Sequence, residues 1–247
     1  MTYCVGLRLN EGIVLLSDTR TNAGLDNISC YRKMFTFEDP GRQVITILTA
    51  GSLSVTQNAM ARLREAVDDK DATEKTSIMQ ARTMLDAAEI VGNVLSEVTA
   101  DVSAKIERMS QSTATASLIV AGQRKGGQPR LFLVYPEGNF IEATDDTPFF
   151  QIGEHKYGKP ILDRVVTPET SLADAQKAVL LSMDSTLRSN LSVGMPLDLM
   201  VIKTNQYKVD ELRRIEADDE VFRAMSTAWS QALRDAFTGI KVEAAGR

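Results

Sequence analysis

The sequence is poor in the residues that build metal cages, disulfide frameworks and histidine-based catalytic sites. Its 247 residues include two cysteines, one histidine and one tryptophan. Cys4, Cys30 and His155 are too few for a zinc cage, and two cysteines provide no disulfide framework. The chain also has no Gly-x-Ser-x-Gly elbow, no P-loop and no dinucleotide fingerprint. These absences disfavour metalloenzymes, serine hydrolases of the elbow type and nucleotide-dependent enzymes.

The charge balance and the hydropathy pattern disfavour two further classes of partner. The chain has 28 basic and 33 acidic side chains, a net charge of -5, whereas a nucleic-acid partner usually requires a basic patch. No apolar run approaches the roughly 18 residues of a membrane span, and no positively charged leader precedes an apolar run. We therefore expect a cytoplasmic protein with no nucleic-acid partner and no membrane partner.

Length and patterning predict one α+β domain over residues 1–247. Hydrophobic residues make up 43% and charged residues 25%, close to the averages of globular proteins. Strand patterns and helix patterns occur in blocks rather than in βαβ alternation, which predicts antiparallel sheets with helices packed outside them. The predicted strands cover residues 3–9, 13–17, 28–37, 43–49, 116–121, 131–135, 139–143, 149–152 and 197–204. The predicted helices cover residues 52–67, 77–109, 155–165, 172–189 and 218–237, and a charged loop precedes the last one.

The first residues place a threonine where it can serve as a nucleophile. An initiator methionine before a small residue is normally removed, which would leave Thr2 with a hydroxyl and a free α-amine in one residue. An α-amine has an unperturbed pKa of about 7.7–8.0 and is a recognised base for a threonine hydroxyl. Alternatively, Thr2 simply opens an edge strand, and the Met-Thr start alone favours that interpretation.

Three later residues change this balance. Asp18 follows the apolar stretch 13–17, Lys33 lies within Tyr31-Arg32-Lys33-Met34-Phe35, and Gly51 ends the stretch Leu48-Thr49-Ala50-Gly51. With Thr2, Asp18, Lys33 and Gly51 in this order and spacing, the chain resembles the β-type subunits of the proteasome family, which are N-terminal nucleophile hydrolases. It is similar in particular to their bacterial branch Anbu, the ancestral β-subunit. The resemblance covers most of the chain and implies a four-layer αββα sandwich, two antiparallel sheets between helical layers.

The resemblance also implies a role for each of these residues. The Thr2 hydroxyl would attack an amide, the Lys33 ammonium would stabilise the deprotonated hydroxyl, and Asp18 would neutralise and orient Lys33. The Gly51 N–H would donate to the oxyanion. Each has a purely structural alternative: a solvated charge for Lys33, a turn former for Asp18 and a turn glycine for Gly51. Two neighbours complete the set, Arg20 as a supporting residue and Thr21 as a substrate-binding residue.

Two segments depart from the proteasome pattern. Glu154 stands where most β-type subunits carry the serine of a Gly-Ser-Gly turn, and Asn190 and Val193 stand where they carry an aspartate and a second serine. Both departures are features of the Anbu branch, and both weaken the expectation of fast peptide hydrolysis. Glu154 either accepts a hydrogen bond from the Thr2 amine or is an acid at a helix N-terminus, where the helix dipole favours it. His155 is expected on the surface.

Together these features predict a threonine-dependent amide or peptide hydrolase that needs no metal or organic cofactor. The resemblance implies that it works as a homo-oligomer, in a ring-like or helical assembly. Two alternatives stay open. One is a weakly active or inactive scaffold or peptide-binding assembly, which the missing serines favour. The other is an amidase for a small non-peptide substrate.

A C-terminal helical extension is predicted over about 205–247. Its apolar residues recur three or four positions apart, as on one face of a helix. They are Phe222, Met225, Trp229, Leu233 and Phe237. This stripe either packs on its own domain or lies across a subunit boundary, where aromatic residues are favoured anchors.

Overall fold

The computed structural model describes residues 2–22, 28–107 and 114–241, with the backbone alone at 22, 28, 106 and 107. The strands are β1 Tyr3–Leu9, β2 Gly12–Asp18, β3 Arg20–Asn22, β4 Ile28–Cys30, β5 Met34–Asp39, β6 Gln43–Gly51, β7 Ala116–Arg124, β8 Arg130–Val134, β9 Phe140–Glu142, β10 Phe149–Gly153, β11 Leu197–Lys203 and β12 Glu211–Ile215. The helices are α1 Leu53–Asp68, α2 Met84–Glu107, α3 Lys159–Val165, α4 Leu172–Ser189 and α5 Glu220–Gly239.

The strands form two five-stranded sheets and one small ribbon. The first sheet has the order β10-β1-β2-β11-β12, the second has the order β5-β6-β7-β8-β9, and β3 pairs with β4. Every neighbouring pair in these sheets is antiparallel. The strand β1 lies between β10 and β2, so the N-terminal residues are inside the first sheet rather than at its edge.

Side-chain alternation along the strands divides the interior into three apolar layers. On β1, Cys4 faces the second sheet, while Tyr3 and Val5 face the helices α3 and α4. On β6, Leu48 faces the first sheet, while Ile47 faces α1 and α2. Because successive residues of a strand point to opposite faces, each sheet is covered on both sides. The predicted αββα sandwich, with two antiparallel sheets between helical layers, is confirmed.

Several predicted boundaries differ from those observed, each for a local reason. The predicted strand 28–37 is interrupted at residues 31–33, where the chain passes from β4 in the small ribbon to β5 in the second sheet. The predicted helix 77–109 begins only at Met84, because Thr83 and Asp86 form a reciprocal capping box at 3.0 and 3.1 Å; its last predicted residues lie outside the described part of the chain. The predicted helix 155–165 begins at Lys159, where Pro160 occupies the first turn.

The predicted charged loop before the last helix is wrong, because it contains the edge strand β12. Arg214 of this strand forms a bidentate ion pair with Asp198 of β11, at 2.8 and 3.0 Å. Edge strands of sheets commonly carry charged side chains, so β12 lacks the apolar alternation that marks an interior strand. The segment from residue 205, expected to be a helical extension, therefore extends the first sheet before it becomes helical.

The apolar stripe of α5 is covered only along its first half. Phe222 is buried and Met225 packs against the same apolar cluster as α4, whereas Leu233 is 50% and Phe237 is 82% exposed. Asp219 is the N-cap of the helix, and its carboxylate accepts a hydrogen bond from the Phe222 N–H at 2.7 Å. Among the described residues, α5 included, no helix combines the length and the apolar character that crossing a bilayer requires.

Candidate active site

The backbone around Thr2 is held from both neighbouring strands. The Thr2 carbonyl accepts a hydrogen bond from the Glu154 N–H at 2.7 Å, and the Tyr3 N–H donates to Asp18 Oδ1 at 3.1 Å. Gly153 has φ +79°, and a Cβ at this position would lie 2.0 Å from the Thr2 carbonyl oxygen. Only glycine permits that approach. Thr2 is 8% exposed, so its position is fixed by close packing as well as by hydrogen bonds.

A buried ion pair lies directly behind this position. Asp18 ends β2 and is fully buried, and Lys33, in the break between β4 and β5, is 5% exposed. Lys33 Nζ donates to Asp18 Oδ1 at 2.7 Å and to the Arg20 carbonyl at 2.6 Å. The other carboxylate oxygen of Asp18 accepts from the Gly194 N–H at 3.2 Å. A buried charge is tolerated when it is paired and hydrogen-bonded in this way.

Two opposing effects act on the Asp18 carboxyl. Burial raises the pKa of Asp18 above its ordinary value, because the protein interior disfavours the charged form. The Lys33 ammonium and the N–H groups of Tyr3 and Gly194 act against this and lower the pKa of Asp18, because they stabilise the carboxylate. With an ammonium at 2.7 Å, the geometry fits a carboxylate paired to an ammonium. Lys33 also lines the same cavity as Thr2.

Thr2, Thr21, Lys33 and Gly51 line one cavity of about 780 Å³, which we call the Thr2 cavity. Asp18 does not line this cavity, but its carboxylate accepts hydrogen bonds from Lys33 and from the Tyr3 N–H next to Thr2. The structure therefore brings together all four residues of the predicted order, and Thr21 lines the cavity with three of them. A cation beside a threonine hydroxyl favours the deprotonated, nucleophilic form.

Gly51 lies where the last residue of β6 meets the start of α1. Its φ is +112°, and a Cβ there would lie 2.4 Å from the Thr115 carbonyl oxygen, so glycine is required. Leu53 and Thr56, in the first turn of α1, also line the Thr2 cavity. The N-terminus of a helix carries partial positive charge on its unpaired N–H groups. The cavity thus has an electropositive wall suited to an oxyanion.

Arg20, the first residue of β3, connects that strand to the loop before β11. Its guanidinium donates to the Leu191 carbonyl at 3.1 Å. It passes over Gly194 so closely that a Cβ at that position would lie 2.2 Å from the Arg20 Nε. Its own carbonyl is a partner of Lys33. Arg20 therefore contacts the ion pair through its carbonyl and does not line the Thr2 cavity.

A second contact near Thr2 joins Glu154 to Asn190. Asn190 Nδ2 donates to Glu154 Oε2 at 3.2 Å, and Asn190 Oδ1 accepts from the Ser192 N–H at 2.9 Å. The Glu154 backbone also holds the Thr2 carbonyl. The alternative role of Glu154 as a helix N-terminal acid is not supported, since α3 begins five residues later, at Lys159. His155 is exposed and outside this cluster.

Sequence reasoning missed two sets of residues near the site. Arg64 and Met60 of α1 line the Thr2 cavity, and nothing in a helical repeat shows that one flank of α1 faces a cavity. Tyr3 was predicted only as a strand residue, yet its hydroxyl lies 2.5 Å from Ser182 Oγ and accepts from Gln151 Nε2 at 2.6 Å. Burial raises the pKa of Tyr3 to about 12. This network ties the residue after Thr2 to α4 and β10.

Comparison with known proteins relates this geometry to one family. A family model described as "Proteasome subunit" matches residues 2–202. A solved Anbu (Gly-1) mutant from Hyphomicrobium sp. strain MC1 is 48% identical, with a TM-score of 0.91 over 99% of this chain and 100% of that chain. Anbu (ancestral beta-subunit) from Yersinia bercovieri is 42% identical, with a TM-score of 0.89 over 99% and 100%. A chain from the solved helical assembly of the Anbu complex from Pseudomonas aeruginosa is 42% identical in sequence, with a TM-score of 0.91 over 98% of this chain and 98% of that chain. No curated protein matches the chain.

Proposed function

The chain belongs to the proteasome subunit family, and from this premise we propose that it is a threonine-dependent amide or peptide hydrolase whose nucleophile is Thr2 after removal of Met1. The fold is a proteasome-like N-terminal nucleophile hydrolase scaffold. The observation that carries the proposal is the Lys33–Asp18 ion pair, buried behind Thr2 with both of its charges satisfied. A purely structural Thr2 would not need a desolvated cation beside it.

The reaction follows from the groups around Thr2. Thr2 Oγ attacks the substrate carbonyl carbon while its proton passes to the freed α-amine of the same residue. The carbonyl oxygen becomes an oxyanion, and the Gly51 N–H and the N-terminus of α1 stabilise its charge. The C–N bond then breaks as the α-amine returns the proton to the leaving nitrogen. Water, deprotonated by the same amine, attacks the ester carbon; the bond from that carbon to Thr2 Oγ then breaks, the amine returns the proton to Thr2 Oγ, and the acid is released.

Glu154 supports the amine side of this reaction. Its backbone N–H is bonded to the Thr2 carbonyl and its carboxylate is held by Asn190, so the carboxylate belongs to the immediate surroundings of the Thr2 backbone. We assign it the role of hydrogen-bond acceptor for the α-ammonium, in place of a serine hydroxyl. A carboxylate stabilises the protonated amine, whereas Lys33 on the other side disfavours it.

The direct test is the reaction of assembled, Met1-free protein with a threonine-directed electrophile and with fluorogenic peptides. Thr2→Ala should remove labelling completely and lower any hydrolysis by at least about 10³-fold, the scale seen when a nucleophile is deleted. Thr144→Ala, at an exposed loop threonine, is the matched control and should change neither. Hydrolysis that survives in Thr2→Ala would rule out Thr2 as the nucleophile.

A peptide-binding scaffold is the second candidate function, because Glu154 and Asn190 replace the usual supporting groups. It differs from the hydrolase in one measurable respect. A scaffold binds peptides at the Thr2 cavity equally well with and without the Thr2 hydroxyl, and it forms no covalent adduct with the electrophile.

The proposed enzyme works as a homo-oligomer, in a ring-like or helical assembly. Two observations support this: the helical assembly of the Pseudomonas aeruginosa Anbu complex, and the exposed second half of the α5 stripe, where Leu233 and Phe237 lack cover within the described chain. Apolar side chains in such a position are expected at an interface.

Substitution of the exposed stripe tests this assembly without disturbing β12. Leu233→Glu with Phe237→Glu should yield smaller species by sedimentation while the fold is kept, because both side chains are at least half exposed. Val221→Glu, at another exposed apolar side chain of α5, is the control. A chain that ends at residue 217 keeps β12 and should behave like the double variant. If both proteins still form full-size assemblies, α5 packs only on its own subunit and does not form the interface.

A further inference from the structure

The Thr2 cavity has walls of two kinds. Its depth is lined by Ala50, Leu53 and Met60, which are apolar, and its exposed edge is lined by Arg32 and Arg64. A volume of about 780 Å³ lies within the usual 300–1,000 Å³ of a ligand pocket. The cavity is therefore large enough for a long side chain and is not uniformly apolar.

Arg64 is held at this edge by its neighbours. It follows Met60 by four residues on α1, so the two side chains share one face of the helix. The Arg64 guanidinium carbon lies 5.1 Å from the centroid of the Phe35 ring, a cation–π arrangement that keeps the guanidinium near one position. A partly ordered guanidinium loses less conformational freedom when it binds a planar anion.

The charges around the cavity do not cancel. Lys33 is neutralised by Asp18 at 2.7 Å. A second cavity shares Arg32, Phe35 and Arg64 and also contains Asp198, but that carboxylate is bound in a bidentate manner by Arg214. No acidic residue is among the described residues that line the Thr2 cavity. The two guanidinium groups of Arg32 and Arg64 therefore remain as net positive charge at its edge.

We propose that the Thr2 cavity selects substrates whose side chain on the acyl side of the scissile bond ends in a carboxylate, as in glutamate. The methylene groups of such a side chain would lie against the apolar wall, and its carboxylate would reach Arg64 and Arg32. Arginine binds carboxylates through two parallel hydrogen bonds, which makes the preference geometric as well as electrostatic. This inference rests on the proposed function, because it treats the cavity as the one that accepts the substrate of Thr2.

Binding to assembled Thr2→Ala protein tests the selection without hydrolysis. Two peptide amides are compared by calorimetry, identical except for glutamate or glutamine at the residue that would carry the scissile carbonyl. The glutamate peptide should bind about tenfold more tightly at low salt, and the ratio should shrink as salt screens the exposed guanidinium groups. Since glutamine has the same shape, the ratio reports the charge alone.

Variants of α1 assign the effect to Arg64. Arg64→Met should reduce the glutamate-to-glutamine ratio severalfold, and Arg64→Lys should keep only the part that depends on charge. Arg62→Met is the matched control, because Arg62 lies on the same helix but does not line the cavity and pairs with Asp101 instead; it should leave the ratio unchanged. Arg64→Glu should reverse the preference toward a lysine peptide.

The outcomes separate this inference from the proposed function. Equal binding of the two peptides, or no binding of either, would overturn the selection for a carboxylate. If native protein with Thr2 still reacts with an uncharged electrophile in that case, the hydrolase proposal stands. If the glutamate preference is found but native protein neither reacts nor turns over either peptide, the hydrolase proposal fails and the cavity is a binding site for acidic peptides.

Discussion

The two sides of Thr2 are built from different chemistry. On one side, Lys33 and Asp18 form an ion pair at 2.7 Å in which both side chains are almost completely buried. On the other side, Glu154 and Asn190 join a carboxylate to a neutral amide at 3.2 Å, in a part-buried contact. The first pair is neutral overall, whereas the second retains one negative charge.

This difference separates the part of the site that fixes structure from the part that adjusts chemistry. Removing one member of a buried ion pair leaves an uncompensated charge and costs about 3–5 kcal/mol. Removing a hydrogen bond to a part-exposed charged group costs about 1.5–3 kcal/mol at most. We expect the Lys33 side to be essential to both stability and reactivity, and the Glu154 side to affect mainly the behaviour of the Thr2 amine.

The largest effect should come from Lys33→Ala. Labelling of Thr2 by an electrophile should be lost, and the free energy of unfolding should fall by about 3–5 kcal/mol because Asp18 remains buried without its partner. Denaturant unfolding measures the free energy of unfolding, and mass spectrometry of the electrophile-treated protein measures the labelling of Thr2. Full labelling in Lys33→Ala would show that the ammonium is not needed for the reaction.

A double variant separates the two consequences. Asp18→Asn alone should lower labelling strongly, because Lys33 loses its counter-charge. Lys33→Met combined with Asp18→Asn removes both charges at similar volume and should recover most of the lost stability but none of the labelling. Recovery of labelling together with stability would show that the pair serves only the fold.

Glu154→Gln should have an intermediate effect confined to the amine. The glutamine keeps the shape of the side chain but cannot stabilise the α-ammonium, so the apparent pKa in the pH–rate profile of labelling should fall below that of the native protein. The labelling rate at neutral pH should change by about tenfold or less, since the base itself remains. Glu169→Gln, at an exposed position, is the control. An unchanged profile would place Glu154 outside the reaction.

The smallest predicted effect at neutral pH concerns Tyr3, whose network is neutral and changes stability only in alkaline solution. Burial raises its pKa from 10.0 to about 12, so the unfolded chain ionises first and folded protein loses stability as pH rises from about 10 to 12. Tyr3→Phe should remove this part of the pH dependence. Unfolding curves at pH 9 to 11 compare the two proteins, and identical slopes would contradict the assignment.

The hairpin of β1 and β2 was accessible to sequence reasoning because its residues are apolar, β-branched and joined by a turn glycine. The edge strand β12 was not, because Arg213 and Arg214 give it the pattern of a loop. Contacts between distant segments were the hardest to predict. The Glu154–Asn190 contact joins residues 36 apart and was not predicted, because the resemblance to proteasome subunits gave each residue a position but not a partner. The position of Arg64 beside the Thr2 cavity depends on how α1 packs on the second sheet, which its own periodicity does not define.

The most direct test of the Thr2 mechanism compares protein that begins at Thr2 with protein shown by intact mass to retain Met1. A Thr2 nitrogen in a peptide bond to Met1 cannot act as a base, whereas the freed amine can. We predict that a threonine-directed electrophile modifies Thr2 rapidly in the trimmed protein and at a negligible rate in the protein that retains Met1. Equal rates of modification and of substrate turnover in the two proteins would contradict catalysis by an N-terminal threonine.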